Sequence, residues 1–274
     1  MINIPNVAVA MSVYKSDKLS YLIEAINSIL EQEYEVFHIY IEVDGAISSD
    51  VKSYLNSLNP ETATITYHRE NKGLATRLNQ AIDKIIQSGQ FSYIARMDSD
   101  DISDSSRFRE QVDFLSKNQD VYVLGTDIIE IDNDNNPIYY KHMESDSDKI
   151  KYNIIKKCPV NHPSVMFRVD LFDNFKLRYQ DNLMNTQDYY LWVDVINKGL
   201  KISNLNIPLL KFRIDENFHN RRGFKKAINE FNSRIYAMNK LSIFSFSNIL
   251  HTILLLSLRL SPEPIKKFAY RYMR

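Results

Sequence analysis

Tyr93-Ile94-Ala95-Arg96-Met97-Asp98-Ser99-Asp100-Asp101 is the stretch on which the fold reading turns. Its first five residues lack helical period and run straight into an acidic cluster, which reads as a strand buried on both faces. Val7-Ala8-Val9-Ala10-Met11-Ser12-Val13 and His38-Ile39-Tyr40-Ile41-Glu42-Val43 have the same character, the second ending abruptly at Asp44-Gly45, and Thr64 to His68 adds another strand. Between them the apolar positions change to a spacing of three and four. Leu19, Leu22, Ile23, Ile26, Ile29 and Leu30 mark one helix, Val51 to Leu58 a weaker one, and Leu74, Leu78, Ala81, Ile82 and Ile85 a third. This alternation predicts an α/β fold with a doubly wound, mostly parallel central sheet. Ligands of such sheets sit beyond the carboxyl ends of the strands. Tyr14-Lys15, Asp44-Gly45 and the acidic cluster are therefore expected to converge on one crevice.

Beyond residue 105 the pattern changes. A helix over 106–118 precedes a strand at Val121-Tyr122-Val123-Leu124. Ile128-Ile129-Glu130-Ile131 and Ile138-Tyr139-Tyr140 flank Asp132-Asn133-Asp134-Asn135-Asn136, a hairpin signal. Pro163-Ser164-Val165-Met166-Phe167 reads as a strand and Asp188 to Gly199 as a helix with Tyr189, Trp192, Val193 and Ile196 on its apolar face.

With 274 residues, 44% apolar and 25% charged, the chain can bury one large core and is not a disordered protein. A single cysteine, Cys158, excludes an internal disulfide and a cysteine-rich zinc site and fits a reducing compartment. Met1-Ile2-Asn3-Ile4-Pro5-Asn6 carries no signal-peptide features. The formal net charge of zero hides an asymmetry: residues 201–274 hold 14 Lys and Arg against 4 Asp and Glu. Such a basic quarter suits a polyanionic neighbour or is simply a solvated helix.

The acidic cluster carries the sharpest chemistry. Carboxylates two residues apart in extended chain point the same way, so Asp98 and Asp100 share one pole of a site. Hard divalent cations take carboxylate oxygens and bridge them to phosphates. The competing reading is a solvated turn before the next helix.

Four segments in order resemble the bacterial family-2 glycosyltransferases of the GT-A fold. They are Val9-Ala10-Met11-Ser12-Val13-Tyr14, Glu42-Val43-Asp44-Gly45, Arg69-Glu70-Asn71-Lys72-Gly73-Leu74-Ala75-Thr76-Arg77-Leu78-Asn79, and Arg96-Met97-Asp98-Ser99-Asp100-Asp101, the DxD region. The resemblance implies a GT-A catalytic domain over 1–222, with a nucleotide-sugar half (1–105) and an acceptor half (106–222), and a helical appendage over 223–274. It implies that Tyr14, Asp44, Asn71, Gly73, Arg77, Asp98, Asp101 and Arg213 serve the donor, Asp44 at the nucleotide base. Gly73 would offer a helix N-terminus to phosphate, Arg77 would reach the diphosphate, and Arg213 would serve the diphosphate or pin Asp188. Asp100 is the expected first ligand of Mn²⁺ or Mg²⁺, with Asp98 and His219. Thr186-Gln187-Asp188-Tyr189-Tyr190-Leu191-Trp192 resembles the helix start whose aspartate is the general base, so Asp188 takes that role and inversion follows. His162 and Trp192 are expected near the acceptor. Gln187 departs from the family, which has glutamate there, as do Lys15 and Ser105.

The expected reaction is transfer of a hexose from a nucleotide sugar, a UDP-sugar by preference, onto a lipid-diphosphate-linked or oligosaccharide acceptor in bacterial O-antigen or capsule assembly. In the tail, Phe224, Ile228, Phe231, Ile235 and Met238 mark an amphipathic helix, and Ile243 to Leu260 is apolar but broken by Ser, Asn, His and Arg. It falls short of the roughly 20 apolar residues of a spanning helix. Lys266, Lys267, Arg271 and Arg274 follow among aromatics, suited to a helix lying on an anionic bilayer. The expected location is cytoplasmic, peripheral on the inner membrane face, with no nucleic-acid partner. A sugar nucleotidyltransferase is the competing enzyme class, although residues 14–17 lack the glycine-rich loop it needs. A membrane-surface adaptor with a degenerate site is the non-enzymatic alternative.

Overall fold

The first strand, β1 (Val7–Tyr14), is buried through Met11 and alternates between two cores: Ala8 and Ala10 face one, Val7, Val9 and Met11 the other. A computed structural model describes residues 6–183, 185–214, 224–262 and 265. α1 (Leu19–Leu30), β2 (Phe37–Asp44), α2 (Ser49–Ser57), β3 (Ala63–Tyr67), α3 (Leu74–Ser88) and β4 (Tyr93–Met97) follow in the expected alternation. β1 pairs in parallel with β2 and β4, and β2 with β3. Chain order reverses across β1 and β4, the switch point at which α/β sheets open a crevice. In this register Tyr14 and Asp44 are direct neighbours.

The second half is β5 (Ile102–Ser103), α4 (Arg107–Lys117), β6 (Val121–Ile131), β7 (Pro137–Lys141), α5 (Ser147–Asn153), β8 (Met166–Arg168), α6 (Asp170–Asp173), α7 (Gln187–Asn197) and β9 (Lys201–Arg213). Helices α8 (Phe224–Leu241) and α9 (Phe246–Leu260) close the described chain. Among the described residues one sheet runs β3-β2-β1-β4-β8-β6-β9-β5, with β7 hanging from β6. Its long pairings are parallel, and the short β8 and β5 pair antiparallel.

Two expectations change. Val121–Leu124 and Ile128–Ile131 belong to one strand, bent by register shifts around Asp127. The buried Asp127 carboxylate accepts hydrogen bonds from Tyr140 Oη (2.6 Å) and the Met143 amide (2.7 Å), which fixes the bend. The expected strand at Pro163–Phe167 begins instead as a 3₁₀ turn over His162–Ser164, because proline has no N–H for a ladder, and only Met166 onward joins the sheet.

One core lies between the sheet and α3 and α7, the other under α1, α2 and α4. Ala237 and Met238 of α8 belong to the first, so the helical appendage begins on the catalytic core. Trp192 of α7 is also there, 0% exposed and stacked on Phe167 at 5.9 Å. This corrects its assignment to the acceptor: the helical spacing that predicted its apolar face also buries it.

Truncating Trp192 to alanine should therefore lower unfolding free energy by about 3–5 kcal/mol, measured by urea denaturation. Unchanged stability with lost activity would return Trp192 to the acceptor site.

Candidate active site

Where β4 ends, Asp98, Asp100 and Asp101 turn back on themselves, and one oxygen from each lies within 4.8 Å of the others. Three carboxylates this close repel unless cations or protons intervene. Arg96, buried on β4, forms an ion pair with Asp98. Arg213, the last residue of β9, donates its amide to Asp101 Oδ1 (2.9 Å) and its Nε to the Asp100 carbonyl (2.9 Å). The same guanidinium bonds Glu24 of α1 at 2.7 Å and the Asp132 carbonyl at 3.1 Å, and lies 4.0 Å above the Tyr21 ring. Burial, then Asp98 and Asp17, push the Asp100 carboxyl up to about 7; burial, then Asp100 and Asp98, also raise Asp101. Asp101 Oδ2 is buried without a hydrogen-bond partner among the described residues. Both cations and the unsatisfied oxygen mark a cluster that holds more negative charge than its surroundings neutralise.

Asp44 closes the neighbouring strand β2. Its Oδ1 accepts from the Lys72 amide (2.8 Å) and Arg77 Nε (2.6 Å), and its Oδ2 from the Gly73 amide (2.9 Å). Asn71 reaches the Asp44 carbonyl at 3.3 Å. Gly45 has φ +85, and an added Cβ would meet the Asn71 amide nitrogen at 3.1 Å, so only glycine allows the two loops to approach this closely. The Gly73 N–H, expected at a phosphate, donates to Asp44 at the start of α3. Arg77, expected at the diphosphate, is 2% exposed, with Nη1 on Gln80 (2.7 Å) and Nη2 on the Glu70 carbonyl, and orders the Asp44 loop. Arg213, expected at the diphosphate or Asp188, is likewise buried under the acidic turn.

Asp188, the expected general base, is the second residue of α7 and half-buried. Burial of its carboxyl raises it above the ordinary carboxylate range, against the opposing pull of the Tyr189 and Asp188 amides, Arg96 and Lys226. His162 lies edge-on to Trp192, with Nε2 2.8 Å from Tyr179 Oη; burial first, then Arg96, hold its imidazole well below its usual pKa, hence neutral at pH 7. The Arg96 charge, paired with Asp98, also bears on Tyr179, His162 and Asp188, and its Nε and Nη1 are buried without a hydrogen-bond partner among the described residues. Sequence reasoning did not single out Arg96 or Tyr179. A charge inside an otherwise apolar five-residue strand was the available signal for Arg96; Tyr179 had none. Tyr14 is partly exposed at the crevice edge, its amide bonded to Asp17 Oδ2 at 2.9 Å. The expected ligand His219 lies outside the described residues.

The model of glycosyl transferase family 2 matches residues 8–175. The chain belongs to this family. Among curated proteins it is 28% identical to the Escherichia coli UDP-Gal:alpha-D-GlcNAc-diphosphoundecaprenol beta-1,3-galactosyltransferase, over 97% of this chain and 96% of the relative. It is 30% identical to an O-antigen biosynthesis glycosyltransferase of Escherichia coli, over 85% of this chain and 88% of the relative. Among solved structures, Staphylococcus aureus TarS in complex with UDP-GlcNAc superposes with a TM-score of 0.69 at 14% identity, covering 93% of this chain and 72% of that one. A Pyrobaculum calidifontis mannosyltransferase in complex with GDP-Man and Mn²⁺ gives 0.59 at 13%, over 98% and 80%. The transferase therefore has the GT-A fold, and the nucleotidyltransferase and adaptor readings are set aside in favour of a glycosyltransferase.

Arg77 and Asp44 are both almost fully buried, so Arg77→Met leaves a carboxylate with no countercharge. It should cost the transferase about 3–5 kcal/mol of stability in urea denaturation. A weaker apparent donor affinity at unchanged stability would instead place Arg77 on the diphosphate.

Proposed function

We propose that this transferase moves a hexose from a UDP-sugar to a hydroxyl of a lipid-diphosphate-linked sugar, with inversion, in the assembly of a bacterial surface polysaccharide. The observation that carries this is the gathering of Asp98, Asp100 and Asp101 within 4.8 Å of one another at the carboxyl end of β4, beside the switch point of the sheet. The near full-length relative that uses UDP-Gal and a diphosphoundecaprenol acceptor supports the donor and acceptor classes.

The turn offers carboxylate oxygen alone, from Asp98, Asp100 and Asp101 within 4.8 Å of one another, which fits a hard divalent cation, Mn²⁺ or Mg²⁺. Asp100 and Asp98 would hold it, with His219 a further candidate ligand. Such a cation neutralises charge that develops on a departing diphosphate. Asp101 is held by Arg213 and fixes the shape of the turn. Asp44 has three of a carboxylate's roughly four acceptor positions occupied, which leaves Oδ2 able to accept from the imide N–H of a uracil. Tyr14 and Asn71 flank that position.

Asp188 acts as general base. It takes the proton of the acceptor hydroxyl as that oxygen bonds to the anomeric carbon, and the bond from that carbon to the diphosphate breaks with its electron pair leaving on the nucleotide. Gln187 places no second charge beside it, so its raised basicity comes from burial alone. Neutral His162 orients Tyr179 below the acceptor. A lipid-linked acceptor puts the enzyme at the cytoplasmic membrane face; no helix among the described residues is long and apolar enough to cross a membrane.

Turnover of a panel of UDP-, GDP- and dTDP-sugars with a synthetic lipid-diphosphate sugar acceptor tests the reading. EDTA and Asp100→Ala should each abolish turnover of a single donor, and Asp188→Asn should lower kcat by about 10²–10⁴-fold, with thermal unfolding unchanged. Turnover that survives Asp188→Asn, or that needs no cation, would sink it.

The pH profile is a separate check. A base must be deprotonated, and burial raises Asp188, so activity should fall as pH drops through a value above the ordinary aspartate pKa of about 4. An acid limb of kcat/KM at or below that value would remove Asp188 from the role.

A further inference from the structure

We propose that the outward face of α9 docks on the surface of an anionic bilayer. Helices that pack on a protein turn their apolar stripe inward. In α9 the arrangement is reversed. Its buried residues are Asn248 and Thr252, while Phe246, Ile249, Leu250, Ile253, Leu254 and Leu260 are exposed, Phe246 at 82% and Leu254 at 58%. These six recur at helical spacing and form one stripe, which Phe244 and Ile265 extend at either end. The two buried polar side chains are satisfied by the helix and its lead-in, Asn248 Nδ2 by the Ile243 carbonyl (2.9 Å) and Thr252 Oγ1 by the Asn248 carbonyl (2.8 Å). They therefore seat on α8 without cost, and nothing in the described chain covers the stripe. An apolar face of this extent marks an interaction surface.

Length and charge choose the occupant. Fifteen residues span about 22 Å at 1.5 Å per residue, short of a hydrocarbon core of about 30 Å, so the helix lies along a membrane rather than across it. Residues 261–274 carry Lys266, Lys267, Arg271 and Arg274 against Glu263 alone. Anionic headgroups complement that charge. A second copy of this chain carries the same excess of basic residues in that segment and offers it no countercharge. The docking helix is also joined to the helix that carries Asp188: Arg259 of α9 bonds Glu230 of α8 at 2.6 Å, and Tyr236 of α8 packs on Tyr190 and bonds Asp194, both on α7. This extends the proposed function by holding the acceptor-side helix near the bilayer in which a lipid-linked sugar resides, but the docking itself requires no turnover.

Sedimentation of the full chain with vesicles of phosphatidylethanolamine and phosphatidylglycerol, against phosphatidylcholine alone, is the test. Binding should favour the anionic vesicles, and Ile253→Glu with Leu254→Glu should weaken it about tenfold or more, with thermal unfolding unchanged because both side chains are exposed. In a second measurement, Phe246→Trp fluorescence should shift to the blue when anionic vesicles are added, which needs no destabilising change. Absence of binding to anionic vesicles, binding equal in the double variant, or a dimer dissolved by that variant without vesicle binding would each overturn the proposal. Because vesicles are bound without donor or acceptor, loss of this result and loss of the transferase reading are told apart.

Discussion

Carboxylates held within 4.8 Å of one another repel, and a strand end that gathers three of them must be braced from outside its own segment. Arg213 provides that brace. It comes from the far end of β9, donates to Asp101 and to the Asp100 carbonyl, and ties both to α1 through Glu24 and to the β6–β7 hairpin through the Asp132 carbonyl. Four parts of the chain remote in sequence thus meet at one guanidinium. Removing a counter-charge of this kind leaves buried charge uncompensated, a larger penalty than the loss of a surface pair.

The same logic recurs one strand away. Asp44 is a buried carboxylate made rigid by Arg77 and by the amides that begin α3. A preorganised acceptor does not have to be ordered when a ligand arrives, which is an advantage over an exposed aspartate. In both places a buried arginine stands behind a carboxylate-bearing strand end. Arg96 completes the pattern from within β4, as a buried guanidinium paired with Asp98.

Around the start of α7, burial sets the ionisation of the side chains. Asp188 has no acidic neighbour at position 187 to raise it, yet loss of water at its carboxyl does so. His162 is kept neutral by the same means and is fixed by Tyr179 and Trp192. The helices behind this face are graded outward: α7 is core, α8 is joined to it through Ala237 and Met238, and α9 presents apolar side chains to the exterior.

The sequence by itself determined the α/β alternation of the first hundred residues, the hairpin at Asp132–Asn136 and the gathering of Asp44 and Asp98–Asp101 at one sheet edge. These are local properties: buried parallel strands must be continuous apolar runs, helices must repeat at three and four residues, and parallel pairing puts all carboxyl ends on one side. Tertiary structure alone decided which charges are exposed. Arg77 and Arg213 look like surface cations in sequence, because nothing local says that Asp44 or the Asp101 turn will lie over them. Trp192 reads as core or as a sugar platform in sequence, and Phe167 stacked on it places it in the core. The strand from Val121 to Ile131 reads as two pieces because the bend at Asp127 is held by Tyr140 and Met143, partners that only the fold brings there. Burial and charge pairing depend on distant segments, and a linear pattern contains no record of them.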